Sequence, residues 1–203
     1  MSLIDKALGA ITPPESDEQR AEATRKAREA SMPGDWLSMA LDQHDQIRAA
    51  FEACRMATDG PSRTAAMKQL ALVLNGHSLA EEVVLYPALA KAGEKHHTTL
   101  AYTEQTTAKM QMAELERIDP VTDAEGWKDK LEHIRGAVLH HIFEEEGTWF
   151  LKIKEEYDNQ AFLTHRFREE YERYAKGAEA ETRTAGEPRS FQSGVSEGPA
   201  PLQ

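Results

Sequence analysis

HSLAEEVVLYPAL, residues 77–89, places a histidine four positions before a glutamate inside an apolar run. HIFEEEGTWFLKI, residues 141–153, repeats the arrangement 64 positions later, with His141 four before Glu145. Residues four apart lie on one face of a helix, one turn apart, so each pair can reach a common point. Alone, either pair reads as an ion pair on a solvated face. Their repetition within apolar periodicity makes that reading weaker and points to an interior polar layer.

The periodicity around these stretches predicts helices and no strands. A polar helix is expected over residues 16–31, ending before Pro33-Gly34, and Asp35 is placed to cap a helix running to about residue 58. Asp59-Gly60-Pro61 makes a turn into a helix reaching about residue 91, with Pro87 expected to kink or loosen its end. A third long helix covers about 94–118 and breaks at Asp119-Pro120; a fourth runs from an Asp123 cap to about 157. A shorter helix follows over roughly 161–178, and residues 182–203, rich in Gly, Ser and Pro, read as a disordered tail.

Long helices with short connections are antiparallel neighbours. The expected fold class is therefore all-α: an up-down antiparallel four-helix bundle over 35–157. Residues 1–34 add an N-terminal helical extension and 158–181 a short C-terminal helix.

The seams of these helices carry the functional information. They read Trp36, Ala40, His44, Ile47, Phe51, Cys54, then Leu70, Val73, His77, Glu81, Val84, Ala88. The third is Ala101, Gln105, Ala108, Met112, Leu115, and the fourth Trp127, Leu131, Ile134, Val138, His141, Glu145. Each is apolar except at one level, where it holds His, Glu or Gln. A buried carboxylate without a partner costs several kcal/mol, on the order of 3 or more. A cation held by the carboxylates and imidazoles removes that penalty. His44 and Gln105 stand 61 apart, close to the 64 that separates the other pairs, so the level belongs to an internal repeat. Packed as a bundle, the repeat brings the pairs face to face.

These residues resemble the haemerythrin HHE cation-binding family over about residues 36–153. The resemblance rests on His44 in LDQHDQIRAAF (41–51), on HSLAEEVVLYPAL and on HIFEEEGTWFLKI. It implies a four-helix bundle holding a non-haem iron centre, di-iron in the family, that meets dioxygen, nitric oxide or peroxide. Carried over, His44, His77, Glu81, His141 and Glu145 are the metal ligands. EQTTAKMQMAELERIDP (104–120) is similar to the family's third-helix segment but has Gln105 where the family has a ligand histidine. Glutamine is a poor iron ligand; the adjacent Glu104 is an alternative oxygen donor. The second metal position is thus where this chain departs from the family. Manganese and zinc stand as alternatives to iron.

Other polar residues receive quieter readings. His140 and Glu144, out of phase with the repeat, flank the centre, and Glu82 and Glu146 are solvated or flanking. His97 and His133 lie two turns from the polar level as interior or bundle-end residues, while His96 and His165 are on the surface. Tyr102, one turn before Gln105, packs in the core or points at the centre. Trp149 and Phe150 pack the bundle end, and Cys54 is a small core residue.

Composition excludes several functions. The formal net charge of −11 repels phosphate backbones, so nucleic acid is not expected as a partner. One cysteine rules out an intrachain disulfide and Cys-based zinc or iron–sulfur sites, which suits a cytoplasmic protein. Residues 1–14 have neither a basic start nor a long apolar run, so no secretory signal is expected, and no stretch is apolar enough to span a membrane.

Three functions follow from the reading. The first is a haemerythrin-like binding protein for sensing, storage or protection. The second is a di-iron enzyme with peroxide-consuming or ferroxidase activity. The third is a metal-free helical interaction module.

Overall fold

The computed structural model describes residues 15–184, which form helices with no strand among them. Helix α1 spans Asp17–Ala30, α2 Trp36–Met56 and α3 Gly60–Ala80. A π-helical turn, Glu81–Leu85, joins α3 without a break to α4, Tyr86–Lys91. Helix α5 spans Lys95–Leu115 and α6 Ala124–Glu144, which passes through a second π-helical turn, Glu145–Trp149, into α7, Phe150–Glu156. Helix α8, Gln160–Thr184, closes the described chain.

Capping sets these boundaries. Ser16 and Gln19 form a reciprocal capping box on α1. Asp59 and Asp123 accept the backbone N–H groups of Ser62 and Gly126 at 2.8 and 3.1 Å. Gly34 and Gly93 turn the chain with φ of +80° and +94°, a region that side chains disfavour.

Asp35 does more than cap α2. Its carboxylate accepts from the N–H of Ser38 at 2.7 Å and of Met32 at 3.0 Å, and pairs with Lys154 of α7 at 2.9 Å. Burial pushes its pKa up, but these donors outweigh burial and the net shift is downward. Its contribution is therefore fully present above the unfolded carboxyl value of about 4 and is lost as pH falls through the lower folded value. Asp35→Ala is expected to cost about 1–2 kcal/mol at neutral pH. The difference from wild type, read as urea midpoints, narrows as the pH is taken down through this window; a difference that grows on acidification contradicts the assignment.

Two apolar clusters form the core. One gathers Trp36, Leu37, Leu41, Leu85, Trp149 and Phe150 with Leu163 and Phe167 of α8. The other gathers Ile47, Phe51, Leu70, Leu74, Trp127 and Leu131 with their neighbours, Cys54 included. Burial pushes the Cys54 thiol up to about 11, so it packs as a neutral side chain. His44 lies on α2 between Leu41 of the first cluster and Ile47 of the second. His77 likewise lies between Leu74 and Ala80, Gln105 between Ala101 and Met112, and His141 between Val138 and Trp149. The polar layer is sandwiched between two greasy ones.

Two expectations are corrected. The helices at 61–91 and 123–157 are not regular throughout, because each widens to a π turn at its glutamate. Pro87, expected to kink the first, sits in the opening turn of α4 just after the wide turn. It is not the cause, since Leu151 stands 64 residues on and the second helix widens too. The C-terminal helix is also longer than expected, running past 181 to Thr184, so residues 182–184 of the expected tail are helical. It is held by Leu163 and Phe167 in the core and by close approach to α3: a Cβ added at Gly76 meets Tyr174 at 3.0 Å. Residues 185–203 of that tail and 1–14 of the N-terminal extension lie outside the described residues. No helix among the described residues is long and apolar enough to cross a membrane.

Candidate metal centre

The π turns explain how the sequence aims its side chains. In a regular helix a residue five positions on points well away from the first, but a turn of about 4.4 residues brings it back to nearly the same side. Tyr86 is five after Glu81 and its phenol reaches the polar layer, 3.4 Å from Glu81 Oε2. Phe150 is five after Glu145, and its ring stacks on His44 at 5.7 Å with an interplanar angle of 13°. The two aromatic residues are 64 apart, the repeat distance of the His–Glu pairs.

Four residues converge: His44, His77, Glu81 and Glu145 each offer a donor atom, all within 4.8 Å of one another and all buried. His44 Nε2 and His77 Nε2 are 3.1 Å apart. Glu81 Oε1 lies 3.0 Å from His77 Nε2 and 3.9 Å from His44 Nε2, and Glu145 Oε2 lies 3.2 Å from His44 Nε2. Donors about 2.1 Å from one ion and at right angles around it stand roughly 3 Å apart. The spacing of the four thus fits the shell of a single ion. Glu81 Oε1 and Glu145 Oε2 are moreover buried without a hydrogen-bond partner, although each faces an imidazole nitrogen. Each of these oxygens lies against an imidazole nitrogen of the group, so its lone pairs are open to a cation held among the four donors.

Outer contacts fix which ring nitrogens face inward. His44 Nδ1 is 2.8 Å from Glu146 Oε1, His77 Nδ1 2.9 Å from Gln43 Oε1, and His141 Nδ1 2.8 Å from Glu104 Oε2. Each outer oxygen can hold the Nδ1 proton, so that Nε2 is the nitrogen that faces the interior and can exchange its proton for a cation. Glu146 is itself held by Arg48 at 2.8 Å and by the Thr24 hydroxyl of α1. The N-terminal helix therefore supports the centre.

The layer is rich in negative charge. Burial acts to lower the His44 pKa, but Glu145 and Glu146 overcome it and raise it to about 9. Burial and repulsion from Glu145 push Glu81 up. Burial also acts to raise Glu145, yet His141 and His44 hold it well below the ordinary carboxylate range. The site draws positive charge, whether as protons or as a metal ion.

The remaining expected residues are placed differently. His141 is in the layer, with Nε2 3.2 Å from Glu145 Oε1, but it stands outside the group of four. Gln105 donates from its amide nitrogen to Glu81 Oε2 at 2.6 Å and to the Tyr86 oxygen at 2.5 Å. The amide nitrogen has no lone pair for a cation, and the amide oxygen is buried without a hydrogen-bond partner. Glu104 lies behind His141, at Nδ1, on the side away from Glu145. Between these residues sits Tyr86, whose oxygen is 3.0 Å from both His141 Nε2 and Glu145 Oε1. Burial, then Glu145 and Glu81, push its pKa well above the ordinary value, so it remains a neutral phenol.

Tyr86 is the residue that sequence reasoning missed. The candidate was Tyr102, which is exposed and donates to the Glu82 carbonyl at 2.7 Å. Glu146, read as solvated or flanking, is buried against His44. The repeat offset held the signal for Tyr86 and Phe150, hidden by the assumption of a regular helix. His140 pairs with Glu15 and His97 with Glu94, both away from the four donors.

Comparison with known proteins gives two findings. The Hemerythrin HHE cation binding domain matches residues 37–153. A DNA nickase of Nostoc sp. (strain PCC 7120 / SAG 25.82 / UTEX 2576) is 27% identical over 111 residues, which are 55% of this chain and 31% of the nickase. The chain thus spans less than a third of the length of that curated relative. No solved structure matches.

Proposed function

Since the chain belongs to the haemerythrin HHE cation-binding family, we propose that it is a non-haem iron protein that engages dioxygen, nitric oxide or peroxide for sensing, storage or protection. The observation that carries this is the buried group His44, His77, Glu81 and Glu145, with two carboxylate oxygens that face imidazole nitrogens and make no hydrogen bond. Two imidazoles and two carboxylates suit iron, manganese or zinc, and iron is the member of that set that binds the gases. Iron held there supplies an open coordination position for a small ligand.

The chain's own residues define the surroundings. Gln43 and Glu146 hold the imidazoles in register, and Arg48 offsets the charge of Glu146. The phenol of Tyr86 occupies the His141 side, where it accepts from the Gln105 amide nitrogen and lies within hydrogen-bond reach of His141 Nε2 and Glu145 Oε1, while Gln105 Oε1 stays without a partner. The reading is therefore one tightly held iron per chain, with the family's second position taken by the Tyr86–Gln105 pair. The alternation of the two apolar clusters along successive helices supports an up-down bundle over 35–157, with α1 and α8 as additions.

The experiment is metal analysis after anaerobic loading with ferrous iron and desalting. One iron per chain is expected in wild type and less than about a tenth of that in His77→Ala, since losing one ligand of a buried site removes most of its affinity. Two irons per chain overturn the role given to Tyr86, and none overturns the metal reading. Tyr86→Phe is expected to keep the tight iron.

A buried phenol beside the centre also favours the second reading, a peroxide-consuming or ferroxidase enzyme, because it can hand on a proton at Glu145 Oε1. Peroxide consumption by the iron form that falls in Tyr86→Phe at equal iron content supports it. The nickase activity named for the Nostoc relative is not carried over. The shared segment is a minor part of that protein, and this chain's charge of −11 opposes DNA.

A further inference from the structure

A cleft of about 490 Å³ opens between α3, α5 and α6 and reaches the polar layer. His77, Glu81, Gln105 and His141 form its inner wall. Its sides are apolar: Leu74, Leu100, Ala108, Ala137, Val138 and Ile142. A diatomic gas needs little more than the ~30 Å³ that one water takes up. Pockets of about 300–1,000 Å³ are those that hold small organic molecules.

The far end of the cleft is polar. Gln111, only 8% exposed, donates from Nε2 to His133 Nε2 at 3.3 Å. Its carbonyl oxygen Oε1 is buried with no hydrogen-bond partner. A buried acceptor without a donor costs about 1–3 kcal/mol, so a turn of the Gln111 side chain that brings this oxygen to a donor in the cleft is favoured. Gln111 is six residues beyond Gln105 on α5, or about 9 Å along the helix axis. The cleft thus has an apolar length of that order between an acceptor at one end and the metal centre at the other.

We propose that the cleft binds an apolar organic molecule about the length of a two-ring aromatic, bearing an O–H or N–H donor that Gln111 Oε1 accepts. Bound so, its other end lies against His77, Glu81, Gln105 and His141. The molecule that the centre senses or acts upon is then an organic one, with any gas as its companion. The binding step stands on the cleft alone; the role beside the centre rests on the metal reading above.

Gly136 gives the test. It lies in the cleft wall on α6, and a Cβ added there meets no atom within 4 Å. Gly136→Leu therefore fills the cleft without a backbone clash and favours the helix. The probes are 2-naphthol, which has the donor, and naphthalene, which lacks it, titrated by calorimetry into metal-free and iron-loaded protein. Saturable 2-naphthol binding is expected in both forms and is abolished in Gly136→Leu. Gln111→Leu is expected to weaken 2-naphthol by about 2- to 10-fold and to leave naphthalene unchanged. Helical circular dichroism confirms that both variants fold. No saturable binding to wild type, binding that survives Gly136→Leu, or equal loss of both probes in Gln111→Leu overturns the inference. Iron uptake without naphthol binding sinks this inference and keeps the metal reading; naphthol binding without iron uptake does the reverse.

Discussion

Ferrous iron supplied anaerobically at a hundredfold excess over its Kd is expected to raise the melting temperature by about 5–11 °C. The magnitude follows from linkage: a ligand at that excess that binds only the folded chain adds about 2.7 kcal/mol. A domain of 150–250 residues gains roughly 2–4 °C per kcal/mol. The physical source is the relief of Glu81 Oε1 and Glu145 Oε2, which are buried without a hydrogen bond in the absence of a cation. A chelator should reverse the shift. Glu145→Ala should show none, because this one side chain faces His44 through one oxygen and His141 through the other. The same change leaves two buried imidazoles without their shared carboxylate, so the metal-free variant is expected to be less stable by about 3 kcal/mol. A melting temperature that ignores iron in wild type, or that rises equally in Glu145→Ala, removes the centre from the account.

The second large effect belongs to Trp36. Its indole is fully buried, meets Phe150 edge-on at 5.6 Å and donates to Gln160 Oε1 of α8 at 2.7 Å. Its backbone N–H goes to the Thr164 hydroxyl at 3.1 Å. The residue thus joins the start of α2 to α7 and to the C-terminal helix. Trp36→Ala is expected to destabilise the chain by about 3–5 kcal/mol, the range for removing a buried large aromatic. Because Phe150 in turn stacks on His44, the cavity lies one ring away from the centre. Trp36→Phe should recover the packing but not the Gln160 bond, and so recover part of the loss. Urea midpoints order the three proteins; a Trp36→Ala midpoint within error of wild type contradicts the packing.

Much of this was readable from the sequence because it depends on spacing. The caps at Asp35 and Asp123, the turn at Asp59-Gly60-Pro61, the all-helical class and the polar level through His44, His77, Gln105 and His141 all follow from local rules. Two kinds of feature were not readable. The π turns were not, because the weak helix formers in EEVVL and EEGTW, Val83-Val84 and Gly147-Thr148, lower helix propensity without specifying a wider turn. With them went the direction of Tyr86, and Tyr102 looked better placed. The outer partners of the histidines come from other helices: Glu146 is 102 residues from His44, and Thr24 lies farther still from Glu146. A pattern read along one helix cannot see which acid another helix brings behind it. The length of α8 was also hidden, because charged residues dilute the pattern that Leu163 and Phe167 anchor.

The wide turns also change what a one-residue gap means when chains of this kind are compared. A relative with one residue fewer between 81 and 86 keeps a helix there and even gains regular bonding. Everything after the gap, however, swings by about 100°. The position aligned with Tyr86 then no longer overlooks the four donors, although the HxxxE pair is untouched. Such a deletion would keep the same four donors and give them a different neighbour, a larger change than most substitutions nearby would make.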